Sequence, residues 1–168
     1  MVTLWWRRGT GVPGVVGRLE AFEQRVELSA DALTHMRAYR QTSSRATEAG
    51  GQLFGSITPD LILVSKATGP YRADERSRYR YRSNPAAAQM AILKQSQAGL
   101  LYLGEWHTHA EDHPDASGMD DEAMRLLLAR SQLNSNALLM LIVGRKTTVD
   151  SLGLWTVASE RVYQWALE

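Results

Sequence analysis

The sequence predicts an α+β protein, a mixed and largely antiparallel sheet flanked by three helices. Three observations carry this. Ser29, Asn84 and Ser117 each stand where a helix N-cap belongs, ahead of a segment of helical character. Thr58-Pro59-Asp60 reads as a tight turn between two apolar runs, which is the signal of a hairpin. Residues 137–143 are almost continuously apolar, as a central strand buried on both faces would be.

Taken in order, residues 1–14 are rich in Gly, Trp and Arg and are expected to form a loose arm or an edge strand. Val15, Val16, Leu19 and Phe22 predict a first strand, and Val26 and Leu28 a second. The helix after Ser29 should reach about residue 40, with Leu33, Met36, Arg37 and Tyr39 on one side. His35 lies on it, and a lone helical histidine is ordinarily a surface or satisfied core residue. Residues 41–47 read as a polar loop. Gly50 and Gly51 suggest tight backbone packing or an unusual turn where a strand begins. Residues 53–57 and 61–67 are the predicted hairpin strands, and 69–77 a polar loop.

Arg78-Tyr79-Arg80-Tyr81-Arg82 alternates as a strand would, with arginines on one face and tyrosines on the other. A solvated arginine face over buried tyrosines is the simplest reading. Interleaved Arg and Tyr also suit nucleic acid, and the arginines suit an acidic patch on a protein. Asn84-Pro85 opens a second helix over 86–97, with proline in its first turn. An apolar extended run over 100–108 follows. Next come a loop over 110–118 and a third helix over 119–131, with Met119, Ala123, Leu126 and Leu127 on one face. Residues 147–157 and 161–166 supply the last strands. No internal repeat or linker divides the chain, and its 168 residues suit one domain.

Composition narrows the chemistry. At 44% hydrophobic and 22% charged residues, the chain resembles an ordinary globular protein. A net charge of +1 suggests no whole-molecule attraction to nucleic acid or to an anionic membrane. The absence of cysteine excludes disulfides, thiolate metal sites and cysteine nucleophiles. Any metal must therefore be held by nitrogen and oxygen. No apolar run approaches the roughly 20 residues of a membrane span, and the N-terminus does not read as a secretion signal. The expected location is the cytoplasm.

The stretch with chemistry is Gly104-Glu105-Trp106-His107-Thr108-His109, followed by Ser117-Gly118-Met119-Asp120. Histidines at i and i+2 of a strand share one face. Two imidazoles and a carboxylate make a three-ligand catalytic zinc site with one position open, and also the facial triad of non-haem iron oxygenases. Ser117 and Asp120 have the spacing of a capping box as well. The two readings are compatible, because a helix N-terminus favours the carboxylate form that a metal needs. Glu105 shares the strand face of the histidines and suits a supporting role beside them or a structural one. His113 is a further candidate ligand in the following loop.

The set His107-x-His109-x7-Ser117-x2-Asp120 resembles, position for position, the signature of the JAMM metallopeptidases (the JAB/MPN/Mov34 superfamily). The family's upstream Glu-x-x-Gly-x-Leu-x-Gly is matched by Glu48-Ala49-Gly50-Gly51-Gln52-Leu53-Phe54-Gly55. The resemblance covers roughly residues 25–145 and implies a curved JAB/MPN-type sheet. It implies that His107, His109 and Asp120 bind Zn²⁺, with water as fourth ligand. Glu48 would take a proton from that water, and Ser117 would help stabilise the oxyanion. The reaction implied is hydrolysis of an amide bond, most often an isopeptide bond after the C-terminal glycine of a ubiquitin-like modifier. Ala110 stands where many members have proline, and glycine stands where many eukaryotic members have cysteine in the glutamate motif. Both departures point to a bacterial JAB type. Such proteins resemble those encoded beside ubiquitin-transfer-like enzymes, including in CBASS antiphage operons, where the partner is a conjugated nucleotidyltransferase. The alternative within the family is a catalytically inactive MPN scaffold, which typically lacks ligands.

Overall fold

The computed structural model describes residues 14–131 and 136–168. The arm expected over 1–14 lies outside the described residues, Gly14 excepted. The strands are β1 (Val15–Leu19), β2 (Phe22–Leu28), β3 (Gly50–Ile57), β4 (Leu61–Ala67), β5 (Glu75–Ser77), β6 (Arg80–Arg82), β7 (Leu101–Thr108), β8 (Ala137–Val143), β9 (Leu152–Ala158), β10 (Val162–Gln164) and β11 (Ala166–Leu167). The helices are α1 (Ala30–Arg37), α2 (Pro85–Gln97) and α3 (Gly118–Arg130). Nine strands form one sheet in the order β10-β9-β8-β7-β3-β4-β2-β1-β11, and β5 and β6 form a separate hairpin. The pairs β2–β4 and β7–β8 are parallel and the others antiparallel, so the expected mixed, largely antiparallel α+β class is what forms.

The sheet has to curve. β10 pairs with β9 at one end, and β11 pairs with β1 at the other. Only Trp165 separates β10 from β11 in sequence, so the two ends of the sheet approach within one residue. The backbone N–H of Trp165 donates to Leu154 O at 2.9 Å, and its indole N–H to Thr156 Oγ1 at 2.8 Å, which fixes the junction.

Alternation along β8 separates two apolar layers. Leu139, Leu141 and Val143 join the larger cluster with Trp106 and with Ala32, Leu33 and Met36 of α1. Leu138, Met140 and Ile142 face the other way, against Met124 of α3 and Trp155. This is why the run over 137–143 reads as apolar at every position. The Ser29 hydroxyl accepts from Ala32 N at 3.2 Å and the Asn84 side chain from Ala87 N at 3.0 Å, caps worth about 1 kcal/mol each.

Several boundaries differ from the sequence reading. Phe22 begins β2 rather than ending β1, because the chain turns at Glu20-Ala21. β3 starts at Gly50, three residues before the expected strand. The paired-glycine reading of tight packing holds: a Cβ on Gly51 would run into the Thr68 carbonyl. Part of the loop expected over 69–77 is strand β5. Of the Arg-Tyr run only Arg80–Arg82 is strand. Arg78 and Tyr79 make the hairpin turn, and Tyr79 is 75% exposed rather than buried. The strand expected over 147–157 starts only at Leu152, after a 3-10 turn at Val149–Ser151. The one expected over 161–166 is divided at Trp165.

The apolar face predicted for α3 also turns out otherwise. Met119 and Leu126 are exposed, whereas Met124 is buried and Leu127 and Leu128 pack beside it. The side toward the sheet carries Asp120 and, one turn later, Met124, as i and i+4 positions of a helix must.

Candidate metal centre

The site is assembled by register. β3 and β7 pair with Gly50 opposite His107. Glu48, two residues before Gly50, therefore comes level with His109 and on the same face. Two bonds hold this alignment: Thr108 N donates to Ala49 O at 2.8 Å, and Ala49 N to Thr108 Oγ1 at 3.0 Å. Glu48 lies 59 residues upstream of His107 in the chain, and the sheet removes that separation.

β7 carries the histidines out at its C-terminal end. Trp106 and Thr108 point to the α1 side, where Trp106 is fully buried and its indole N–H donates to Thr68 O at 2.9 Å. His107 and His109 point to the other face, toward α3. Their Nε2 atoms lie 3.1 Å apart. Two protonated ring nitrogens cannot sit so close without repulsion, so at least one is the acceptor form that a ligand requires.

Asp120 completes the cluster from the first turn of α3. Its Oδ1 is 3.2 Å from His107 Nε2, and its Oδ2 is 3.6 Å from His109 Nε2. The capping box is present as well: Ser117 Oγ accepts from Asp120 N at 3.1 Å, and Asp120 Oδ2 accepts from Ser117 N at 2.8 Å. The Ser117 hydroxyl donates to the same Oδ2 at 2.7 Å. One carboxylate thus completes the capping box and faces the histidines, with Oδ2 held by Ser117 and Oδ1 turned to His107. Burial raises the Asp120 pKa, but bonds and charge from His107 and the bonds from Ser117 outweigh it and hold the group well below the usual carboxylate range.

These three residues place one donor atom each within 4.8 Å of one another. Donors about 2.0–2.1 Å from a tetrahedral ion stand about 3.3 Å apart, close to the 3.1 Å between the two imidazole Nε2 atoms and the 3.2 Å from His107 Nε2 to Asp120 Oδ1. The His109 Nδ1 is buried without a hydrogen-bond partner, and Glu111 Oε2 lies 3.8 Å away. Burial, and then His107, lower the pKa of His109 and favour its neutral, ligating form. The donor set fits a divalent ion such as zinc.

Glu48 is 8% exposed. Burial raises its carboxyl to about 7; His107 works against the rise, and Asp120 and Glu111 add to it. A carboxyl poised near neutrality beside a cluster of ligands has the character of a general acid–base. Its backbone is pinned, since Glu48 N donates to Ser77 O at 2.7 Å and Arg76 Nε donates to Glu48 O at 2.6 Å.

The remaining candidates separate from the cluster. Glu105 accepts from Gln52 at 2.9 Å and from Tyr102 at 2.5 Å, so it braces β7 against β3 rather than touching the histidines. His113 is exposed and sits 3.4 Å from Asp150. His35 is satisfied by Gly69 O at 2.6 Å and packs edge-on to Trp106. The sequence reading missed Glu111 beside His109 and Arg76 on the Glu48 carbonyl. Glu111 had a signal, since a ligating histidine usually turns its second nitrogen to a carboxylate. Arg76 had none, because its contact depends on how the hairpin folds back.

Comparison with known proteins gives a consistent picture. Residues 29–157 match a family model described as prokaryotic homologs of the JAB domain. A protein of Pseudomonas aeruginosa named CD-NTase/cGAS isopeptidase is 37% identical over 123 residues, 71% of this chain and 77% of its own length. One of the same name from Escherichia coli is 30% identical, over 76% of this chain and 81% of its own length. Another from Vibrio cholerae is 32% identical, over 72% and 77%. Among solved structures, the protein DSY2949 from Desulfitobacterium hafniense superposes with a TM-score of 0.60 at 20% identity, over 82% of this chain and 87% of that one. That likeness concerns the fold.

Proposed function

This chain belongs to the prokaryotic homologs of the JAB domain, and on that premise we propose that it is a zinc-dependent isopeptidase. Its substrate would be a protein conjugated through an amide bond after a C-terminal glycine. The relatives' printed names support a conjugated nucleotidyltransferase of the CD-NTase kind as that protein. The single observation that carries the reading is the convergence of His107, His109 and Asp120, with Glu48 brought level with His109 by the β3–β7 register.

In this proposal His107, His109 and Asp120 hold the ion. A bound zinc supplies a Lewis acid and lowers the pKa of a water ligand toward about 7. Glu48 takes the proton at its carboxylate and later returns it to the leaving amine. Without the ion its carboxyl sits at about 7, and the charge of a bound divalent ion would lower it toward the carboxylate that accepts the proton. Ser117 first orients Asp120 through its hydroxyl. To assist a developing oxyanion, that hydroxyl must turn from Oδ2 toward the substrate carbonyl. Arg76 and Ser77 keep Glu48 from swinging away, by the bonds to its carbonyl and N–H.

The test joins metal content to turnover. Protein loaded with about one zinc per chain is expected to cleave a model isopeptide, glycine joined to a lysine side chain. Chelation should abolish cleavage, and added zinc should restore it. Cleavage that survives complete chelation contradicts the reading. A zinc-loaded protein that cleaves no isopeptide would instead fit a scaffold.

A further inference from the structure

The hairpin of β5 and β6 is the feature that this chemistry leaves unused. Residues 72–82 hold five arginines against Asp74 and Glu75, while the whole chain carries only +1. Positive charge is therefore concentrated here rather than spread. The two faces of the hairpin differ. Arg76 and Tyr81 pair across the strands on the side toward β3, where Arg76, itself exposed, bonds the Glu48 carbonyl and the part-buried Tyr81 lies against Gly50. Arg80 and Arg82 alternate to the outer face and are exposed, as is Arg72 in the preceding turn. Among the described residues none of these three has a carboxylate within ion-pair distance, although Glu75 stands opposite Arg82 in register.

The surface is rigid. Asp74 accepts from Tyr71 N at 2.7 Å, from Asn84 N at 2.7 Å and from the Tyr81 hydroxyl at 3.1 Å, tying both ends of the hairpin together. The turn is fastened by Gln41, which donates to Arg78 O at 2.8 Å, and by Arg78, which donates to the carbonyls of Ser43 and Ser44. Ser77 O and Arg76 both bond the backbone of Glu48, so the hairpin that carries these arginines borders Glu48 from its other side.

We propose that Arg72, Arg80 and Arg82 dock an acidic segment of the protein substrate beside its scissile bond. This rests on the hydrolase reading above and adds the charge character of the substrate. A protein segment fits better than nucleic acid. Tyr81 is spent on Asp74 and Gly50, and the exposed Tyr79 already carries the Arg78 guanidinium over its ring, 5.3 Å from the centroid, so neither ring of the Arg-Tyr run is left as an open stacking platform.

Fluorescence anisotropy tests it without turnover. The probes are a labelled peptide of eight glutamates ending in Gly-Gly, the matching lysine peptide, and a ten-nucleotide thymidine strand. The wild-type chain should bind the glutamate peptide about tenfold or more tighter than either other probe, with the preference shrinking at high salt. The variant R72Q/R80Q/R82Q should lose about tenfold or more of that affinity while keeping its zinc content and melting temperature. The single variant R80Q should fall between. Equal binding of the glutamate peptide by wild type and triple variant overturns the inference, and so does tighter binding of the thymidine strand. The readout is equilibrium binding, so a failed hydrolysis assay leaves it untouched. Conversely, absent peptide binding leaves cleavage of an uncharged isopeptide as it was.

Discussion

Gly50 stands directly opposite His107 in the antiparallel pairing of β3 and β7, and through that pairing Glu48 comes level with His109 at the candidate metal centre. A shift of one residue would turn Glu48 to the α1 side of the sheet. Two further glycines let backbone outside this pair close on β3 and β7. Gly51 faces the Thr68 carbonyl, and Gly104, at φ +151°, faces the Leu139 carbonyl, each at a distance that leaves no room for a Cβ.

Gly51→Ala should therefore destabilise the chain by about 2 kcal/mol or more, since backbone must move to accept the methyl group. Urea unfolding checks this. Gly118→Ala is the control: nothing lies near a Cβ there, and a cost within about 0.5 kcal/mol is expected.

Trp106 is the largest fully buried side chain among the described residues and sits directly before His107, on the opposite face of β7. Trp106→Ala should cost about 3–5 kcal/mol through lost burial and an unfilled cavity. It should also lower zinc affinity, because β7 then holds His107 less firmly. Unfolding midpoints and zinc titration read the two effects separately.

Asp120 completes the capping box of α3 and, in the proposed function, is also a metal ligand. Asp120→Asn keeps an oxygen that accepts from Ser117 but removes the charge that faces His107. Helix stability should fall by less than about 1 kcal/mol, while zinc affinity should fall by about a hundredfold or more. Metal analysis with thermal unfolding distinguishes this from simple loss of fold.

In metal-free protein the raised carboxyl of Glu48 has a defined sign. Its folded pKa of about 7 lies above the ordinary glutamate value of 4.5, so the fold favours the protonated form. That stabilisation, relative to the ionised form, is fully present below about pH 4.5 and lost as pH rises to about 7. Stability in chelator should fall across this window by about 1–3 kcal/mol through Glu48. The variant Glu48→Gln should show a correspondingly smaller fall. Denaturant midpoints at pH 5 and pH 8 measure it.

Most of the site was legible because its signals are local in sequence. His107, His109, Ser117 and Asp120 fall within one strand-loop-helix unit, and cap and ligand spacing coincide there. Glu48 was reached only through resemblance to the family signature, since no local pattern links residues 59 apart. What escaped depended on distant pairing. The turns at Glu20-Ala21 and Arg78-Tyr79 contain no glycine, asparagine or proline, so neither announced itself. The break at Trp165 exists because the sheet curls until its ends meet. The face of α3 was misjudged because Met119 and Leu126 are apolar yet exposed, whereas the position of Asp120 fixes the side that turns to the sheet.

The most direct test of the central claim is Glu48→Gln, with zinc content and isopeptide cleavage measured on the same preparation. About one zinc per chain should be retained, because Glu48 is not among the three residues that converge on the ion site. Cleavage should fall by about a thousandfold, within the range of about 10²–10⁴ that one general base contributes. Cleavage at the wild-type rate with zinc in place would contradict the assignment of Glu48 as the base.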